Sequence, residues 1–178
     1  MKKIIFLDGD GTLWYPKETK RARKPHWIYD DPVTKDNYLE HLELAPKVKY
    51  ALEKFKEMGI VLVLISANPK SEEVAIKEIM NRLNYLDLAK YFNIVRSSAG
   101  DDPSGKGKVI LEILEKLNLQ KSDALMVGDS IIYDYLAATN VGVESFWIEN
   151  PVSKLPETLP VNFRKIFEVS DVVGQIIL

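Results

Sequence analysis

The chain has 178 residues, the size of one ordinary domain, and carries a formal net charge of −2 with a sequence pI near 5.8. It contains no cysteine and 2 histidines, which excludes disulfides and thiolate metal sites and disfavours a zinc site. The balanced charge gives no general attraction to nucleic acid or to an anionic membrane, so we expect neither as a partner. The first apolar run ends at Asp8, too soon for a signal peptide or a membrane span, so we expect a soluble cytoplasmic protein.

Short apolar runs alternate with amphipathic segments of helical length along most of the chain. The apolar runs predict strands that are buried on both faces, and the amphipathic segments predict helices between them. The alternation indicates an α/β fold of three layers, a Rossmann-like parallel sheet with helices on both faces. The predicted strands cover residues 4–7, 60–65, 94–95, 124–127 and 143–148, and the predicted helices cover residues 46–57, 71–83, 108–117 and 130–138.

The segment from about residue 14 to about residue 44 interrupts this alternation. It has no strong period, and it is much longer than the 2–6 residues or so of ordinary connections. Its basic residues predict either a solvated loop or a patch that recognises negative charge on a substrate. We therefore expect one domain over residues 1–178, with a small insertion at about 14–44 and an edge strand and a short helix within 163–178. The basic residues are Lys17, Lys20, Arg21, Arg23 and Lys24.

Polar side chains follow the predicted strands at the points where those strands end. Asp8 and Asp10 come directly after the first strand, Ser66 ends the second, and Asp129 follows a later strand. Lys106 lies at the start of a helix that leads to that later strand. Because ligands collect at the carboxyl ends of parallel strands, we expect these side chains to converge on one rim of the sheet.

This set of side chains predicts phosphoryl-transfer chemistry. Asp8, Asp10 and Asp129 supply only oxygen ligands, which suits Mg²⁺ better than a soft metal. A carboxylate that approaches a phosphate dianion meets strong repulsion, which a divalent cation and a lysine would offset. We expect Asp8 to attack phosphorus and Asp10 to act as general acid and then as general base.

The remaining candidates are predicted to hold the phosphate or to orient its neighbours. Ser66, Ala67 and Lys106 are the predicted contacts for the phosphoryl oxygens that do not react. Asp134 lies five residues beyond Asp129. We predict that Asp134, together with Ser130, orients the metal site or Lys106.

The motifs that carry this chemistry resemble those of a known family. Residues 6–13 (FLDGDGTL) are similar to the first motif of the haloacid dehalogenase (HAD) superfamily, and residues 64–66 (LIS) are similar to the second. Lys106 is similar to the third motif, and residues 127–129 (VGD) with Asp134 are similar to the fourth. The resemblance implies a HAD-like fold, Mg²⁺ as cofactor, and a phosphoric monoester hydrolase that forms an aspartyl-phosphate.

Within the superfamily, residues 12–14 (TLW), the small insertion and residues 44–46 (LAP) resemble the magnesium-dependent phosphatase-1 branch of subclass III. This resemblance implies a Rossmann-like core with no large cap domain. It also implies a magnesium site formed by Asp8, Asp10 and Asp129.

Some of these residues have simpler interpretations. Residues 100–107 come close to a P-loop, although Gly107 occupies the position of the required Ser or Thr. Lys108 is an alternative to Lys106 as the phosphate lysine. Ser66 is also compatible with a helix cap for the segment that begins at residue 71, and Asp134 with an ordinary exposed helix acid.

Two further functions would use the same residues. A phosphotransferase or phosphomutase differs from a phosphatase only in what accepts the phosphoryl group. A non-catalytic signalling module would bind a phosphoryl group without turning it over. The expected partner is a phosphorylated small molecule or a phosphoprotein, whereas the sequence predicts neither the exact substrate nor the oligomeric state.

Overall fold

A parallel sheet of 6 strands forms the centre of the structure, a computed structural model that describes residues 1–100, 102–160 and 162–176. In chain order the strands are β1 (Ile4–Leu7), β2 (Trp14–Pro16), β3 (Leu42–Leu44), β4 (Val61–Asn68), β5 (Ile94–Ala99), β6 (Ala124–Gly128), β7 (Glu144–Ile148) and β8 (Arg164–Ile166). The sheet has the order β5-β4-β1-β6-β7-β8, and every neighbouring pair in it is parallel. β2 and β3 form a separate antiparallel hairpin.

Helices cover both faces of this sheet. Side chains of β1 alternate between the faces: Ile5 and Leu7 point into one hydrophobic core, Ile4 and Phe6 into the other. The helices are α1 (Trp27–Asp30), α2 (Val48–Glu57), α3 (Glu72–Tyr85), α4 (Gly105–Lys116), α5 (Ala137–Thr139) and α6 (Asp171–Ile176). The first core receives α2, α3 and α6, and the second receives α4. The predicted three-layer α/β fold without a large cap domain is confirmed. Within the described residues, no helix has the length and apolar character needed to cross a bilayer.

Two predicted helices differ from the observed ones. α4 begins at Gly105 rather than at residue 108. The sequence prediction missed the first turn of the helix because that turn, although buried, contains no apolar side chain that a periodic pattern could detect. The segment predicted as a helix over 130–138 is a π-helical turn, Ile131–Leu136, followed by α5. In this turn the amide of Tyr135 donates to the carbonyl of Ser130, five residues back, at 3.1 Å.

The segment over residues 14–44 folds into short elements that the sequence pattern did not reveal. The hairpin of β2 and β3 pairs Trp14 with Leu44, and between its strands lie α1 and a 3₁₀ turn, Tyr38–His41. These elements have 3 or 4 residues each, too few to establish a period. Ile28 and Leu42 nevertheless pack into the first hydrophobic core, so the insertion lies against the sheet layer.

The strand order places a topological switch point beside the end of β1. The chain leaves β1 for β4 on one side, and it later crosses back to β6 on the other side. Such a switch point opens a cleft at the carboxyl ends of the strands, where ligands of this fold class bind.

Candidate active site

The turn after β1 brings two buried carboxylates, Asp8 and Asp10, to the rim of the sheet. Two glycines let this turn pack tightly. A Cβ atom on Gly9 would lie 2.6 Å from the ring of Trp14, and one on Gly11 would lie 2.3 Å from Oδ2 of Asp129. Gly11 also has φ +83°, which favours glycine. The turn therefore needs Gly9 in order to pack against Trp14 and Gly11 in order to lie against Asp129.

Lys106 joins two of the predicted acids. Its ammonium, 3 % exposed on the first turn of α4, donates to Oδ1 of Asp8 and, at 2.6 Å, to Oδ1 of Asp134. Burial alone would lower the pKa of Lys106, but the carboxylates of Asp134 and Asp8 more than offset it, so the pKa is raised. Lys108 is exposed and pairs instead with Asp102 at 2.8 Å. Of the two lysines, the structure places Lys106 beside Asp8.

Asp134 is buried rather than exposed, which contradicts its interpretation as an ordinary surface acid. Its second oxygen, Oδ2, accepts from the amide of Ser130 at 2.9 Å. The Ser130 hydroxyl in turn accepts from the amide of Tyr133 at 3.1 Å and caps the π-helical turn. Ser130 and Asp134 thus hold each other at the end of β6.

Asp129 lies at the same strand end, where donors that the sequence analysis missed hold its carbonyl. Trp147 Nε1 donates to this carbonyl at 2.8 Å, Asn150 Nδ2 at 2.7 Å and Ser153 Oγ at 3.0 Å. Asn150 also donates to the carboxylate, at 3.1 Å from Oδ2. Asn150 and Ser153 follow a strand, as the acids do, and this position was the one signal available for them.

The carboxylates of Asp8, Asp129 and Asp134 form a compact group. We call these three residues and Lys106 the acidic cluster. One oxygen from each carboxylate lies within 4.8 Å of the other two. Burial and the neighbouring carboxylates raise the pKa of Asp8 to about 7 despite Lys106, and they raise the pKa of Asp129 as well. Three carboxylates face one ammonium, so the group carries an excess of negative charge. An all-oxygen donor set with this excess fits a hard divalent cation.

The carboxylate of Asp10 is not part of the acidic cluster and has partners of its own. Oδ1 accepts from Trp14 Nε1 at 2.9 Å and from the hydroxyl of Tyr29, and Oδ2 lies 3.9 Å from Nη1 of Arg82. We call these four residues the Asp10 cluster. The predicted role of the Asp10 side chain as a metal ligand gains no support from this arrangement, which agrees better with its predicted acid–base role.

The other predicted phosphate contacts lie on β4. Ser66 is buried, and its carbonyl accepts from the hydroxyl of Ser97 at 3.1 Å. Ala67, the next residue, is half-buried. Ser66 lies inside a strand and five residues before Ser71, the residue at the start of α3, so the alternative of a helix cap is wrong.

The basic cluster of the insertion is not a uniformly solvated loop. Arg21 Nε donates to the carbonyl of Gly11 at 2.7 Å, and both terminal nitrogens of Arg21 donate to Glu168 at 3.0 Å. Arg23 instead stacks on the ring of Trp27, 4.6 Å from its centroid. Arg21 therefore ties the insertion to the Gly11 turn and to the segment before α6.

The sequence also matches a characterised family. Residues 3–148 match the family described as haloacid dehalogenase-like hydrolase. The chain belongs to this family. Two solved HAD structures share the fold. A HAD phosphatase from Thermococcus onnurineus has TM-score 0.69 and 20 % identity, and the match covers 99 % of this chain and 98 % of that chain. A haloacid dehalogenase-like hydrolase from Xanthomonas campestris has TM-score 0.69 and 14 % identity, and the match covers 98 % of this chain and 94 % of that chain.

Curated relatives of this HAD chain are named as phosphatases. It is 28 % identical to ribulose-1,5-bisphosphate 5-phosphatase of Halopiger xanaduensis over 109 residues, and this match covers 61 % of this chain and 43 % of the relative. It is 23 % identical to glyceraldehyde 3-phosphate phosphatase of Pyrococcus abyssi over 128 residues, and this match covers 70 % of this chain and 51 % of the relative. The HAD chain thus spans about half the length of these relatives.

Proposed function

We propose that this HAD chain is a Mg²⁺-dependent phosphatase that hydrolyses phosphate monoesters through an aspartyl-phosphate on Asp8. The observation that carries the proposal is the position of Asp8. It is buried at the end of the central strand, bound to Lys106, and within 4.8 Å of the carboxylates of Asp129 and Asp134. The carboxylate of Asp10 lies outside this group of three and accepts from Trp14 and Tyr29, which supports its proposed role in proton transfer.

Each residue has a defined task in the proposed reaction. Asp8 attacks phosphorus, and the bond from phosphorus to the ester oxygen breaks while Asp10 gives that oxygen its proton. Asp10 then takes a proton from water, which attacks the acyl phosphate and releases inorganic phosphate. Ser66, with the backbone near Ala67, and Lys106 hold the phosphoryl oxygens that do not react.

The donor set of the acidic cluster supports Mg²⁺ as the cofactor. Asp8 and Asp129 are the proposed ligands, whereas the oxygens of Asp134 accept from Lys106 at 2.6 Å and from the amide of Ser130 at 2.9 Å. A divalent cation here would lower the repulsion between Asp8 and a phosphate dianion, which is about 4 kcal/mol for each pair of unit charges at 4 Å and an effective dielectric near 20. Asp134 is proposed to orient Lys106.

We also propose that the chain acts on small phosphorylated molecules and forms one domain over residues 1–178. The insertion at about 14–44 places Trp14 and Tyr29 directly against Asp10, which favours a small phosphate ester over a bulky phosphoprotein. The names of the two curated phosphatases support the same class of substrate. The short hairpin insertion supports the magnesium-dependent phosphatase-1 branch.

Phosphate release from a panel of phosphorylated metabolites, a phosphotyrosine peptide and p-nitrophenyl phosphate, with Mg²⁺ and with a chelator, tests the proposal. Asp8→Asn should lower turnover by about 10⁴-fold or more, as expected for a lost nucleophile, whereas Asp36→Asn on the exposed surface should leave it unchanged. Quenched reactions should show one phosphoryl group on the peptide that carries Asp8.

Two results would contradict the phosphatase. Turnover that survives both Asp8→Asn and the chelator would exclude the nucleophile and the metal together. Loss of the donor phosphate to an added alcohol or sugar, with no free phosphate formed, would indicate a phosphotransferase.

A further inference from the structure

Asp10 is held by the insertion as well as by its own turn. Both donors to its Oδ1 come from beyond the glycine turn: Trp14 begins the hairpin, and Tyr29 lies on α1. Oδ2 has no hydrogen-bond donor in the described part of the chain, since the nearest cation, Arg82, lies 3.9 Å away. Oδ2 is therefore the oxygen left to exchange a proton.

Tyr29 is itself fixed from two sides. The guanidinium of Arg82, which reaches across from α3, lies 4.2 Å from the centroid of its ring, and the ring of Tyr38 packs edge-on at 5.0 Å. The backbone of α1 is anchored as well, because Ile28 is fully buried and its carbonyl accepts from the hydroxyl of Thr34 at 2.7 Å. The Tyr29 hydroxyl therefore has little freedom to leave Asp10.

Arg82 has few alternatives to this stacking. It is 5 % exposed, and its Nε has no hydrogen-bond partner within the described residues. A buried guanidinium without a close hydrogen-bonded carboxylate is costly, so the faces of Tyr29 and Tyr38 and the charge of Asp10 are what stabilise it. Burial and the nearby Asp10 raise the pKa of Tyr29, which keeps its hydroxyl protonated and able to donate.

We propose that Tyr29 is a positioning residue for Asp10: its hydroxyl binds Oδ1 and sets the carboxylate so that Oδ2 serves the ester oxygen. Arg82 acts through Tyr29 by holding its ring. The inference rests on the proposed function, because it concerns the acid–base step of that reaction. It assigns a task to the insertion, which completes the active site instead of only covering it.

Tyr38 provides a matched control. Both tyrosines contact Arg82, at 4.2 Å and 5.5 Å from their ring centroids, but only the hydroxyl of Tyr29 contacts Asp10. Tyr29→Phe and Tyr38→Phe each remove one oxygen and keep the aromatic ring. A difference between the two variants therefore reports on the hydrogen bond to Asp10.

The test compares kcat/KM for p-nitrophenyl phosphate and for phenyl phosphate with Mg²⁺. A good leaving group needs little protonation, so a misplaced acid should harm the phenyl ester more. For Tyr29→Phe we expect a loss of about tenfold with phenyl phosphate, the size of one hydrogen bond to a charged group, and a loss of about twofold with the nitrophenyl ester. Tyr38→Phe should leave the ratio of the two values as in the unmodified protein.

A purely structural role for Tyr29 would lower both values equally, and that result, or no loss at all, overturns the inference. Arg82→Gln is a second variant, which should show the same selective loss for phenyl phosphate. An equal loss for both esters in Arg82→Gln would contradict the role of Arg82. If the unmodified protein releases no phosphate, or Asp8→Asn remains active, the proposed function fails instead, so the two failures are distinguishable.

Discussion

The acidic cluster and the Asp10 cluster are neighbours at the rim of the sheet, but they differ in how their buried carboxylates are neutralised. The acidic cluster sets three carboxylates against a single ammonium, and the pKa of Asp8 rises to about 7. The Asp10 cluster surrounds one carboxylate with an indole, a phenol and a guanidinium. When ionised, the three carboxylates of the first cluster outnumber its one cation, whereas the second cluster surrounds its carboxylate with two donors and a nearby cation. Proteins often accept such local instability where binding or catalysis needs it.

The largest expected effect of a substitution in either cluster is the loss of turnover on replacing Lys106. Lys106→Met removes the one positive charge of the acidic cluster and the proposed contact to the phosphoryl group, so turnover should fall by about 10³-fold. Phosphate release at saturating Mg²⁺ measures it. The control is Lys108→Met, whose exposed side chain pairs with Asp102 and should tolerate the change. Equal losses in both variants would contradict the assignment of Lys106.

Asp129 offers a way to relieve the excess charge. Asp129→Asn should raise the Tm of the metal-free protein by about 2–6 °C, because one of three crowded carboxylates becomes neutral. We expect Mg²⁺ to raise the Tm of the unmodified protein, and Asp129→Asn should abolish that rise. Thermal unfolding with and without Mg²⁺ measures both effects. A metal-free Tm that falls, with the Mg²⁺ response intact, would show that the crowding is not costly.

The dependence of stability on pH tests whether the crowding of carboxylates in the acidic cluster is costly and whether Asp8 binds Mg²⁺. The pKa of Asp8 is raised from 3.8 to about 7, so between these values the folded state binds more protons than the unfolded chain. This group therefore lowers the free energy of unfolding as the pH rises through that window. The rise in Tm caused by Mg²⁺ should accordingly be larger at about pH 8 than at about pH 5. The same rise at both pH values would argue against Asp8 as a ligand.

Asn150 should have a smaller effect on metal binding. Asn150→Ala removes the donor that contacts both the carbonyl and the carboxylate of Asp129, so the Kd for Mg²⁺ should rise about tenfold. Titration calorimetry measures this change. Ser153→Ala is the control, because the hydroxyl that it removes bonds the carbonyl of Asp129 and not the carboxylate, so it should alter the Kd less. A larger effect from Ser153 would contradict the role given to Asn150.

The smallest effect is expected at Arg21, which supports the Gly11 turn from outside both clusters. Arg21→Gln loses the bonds to Gly11 and Glu168 and should lower the free energy of unfolding by about 1–2 kcal/mol. Urea unfolding measures it, with Arg23→Gln as a control that loses only stacking on Trp27. If Arg23→Gln costs as much, the contacts of Arg21 contribute little.

The sequence by itself determined the fold class and the convergence of Asp8, Asp129 and Lys106, because parallel strands and the connections that follow them meet at one rim of the sheet. Tertiary structure alone decided the direction of the Asp10 carboxylate and the partners Tyr29 and Arg82. These contacts join residues from a hairpin insertion and a distant helix that share no period or motif. Their proximity depends on how short, aperiodic elements pack against the sheet, and no local pattern encodes it.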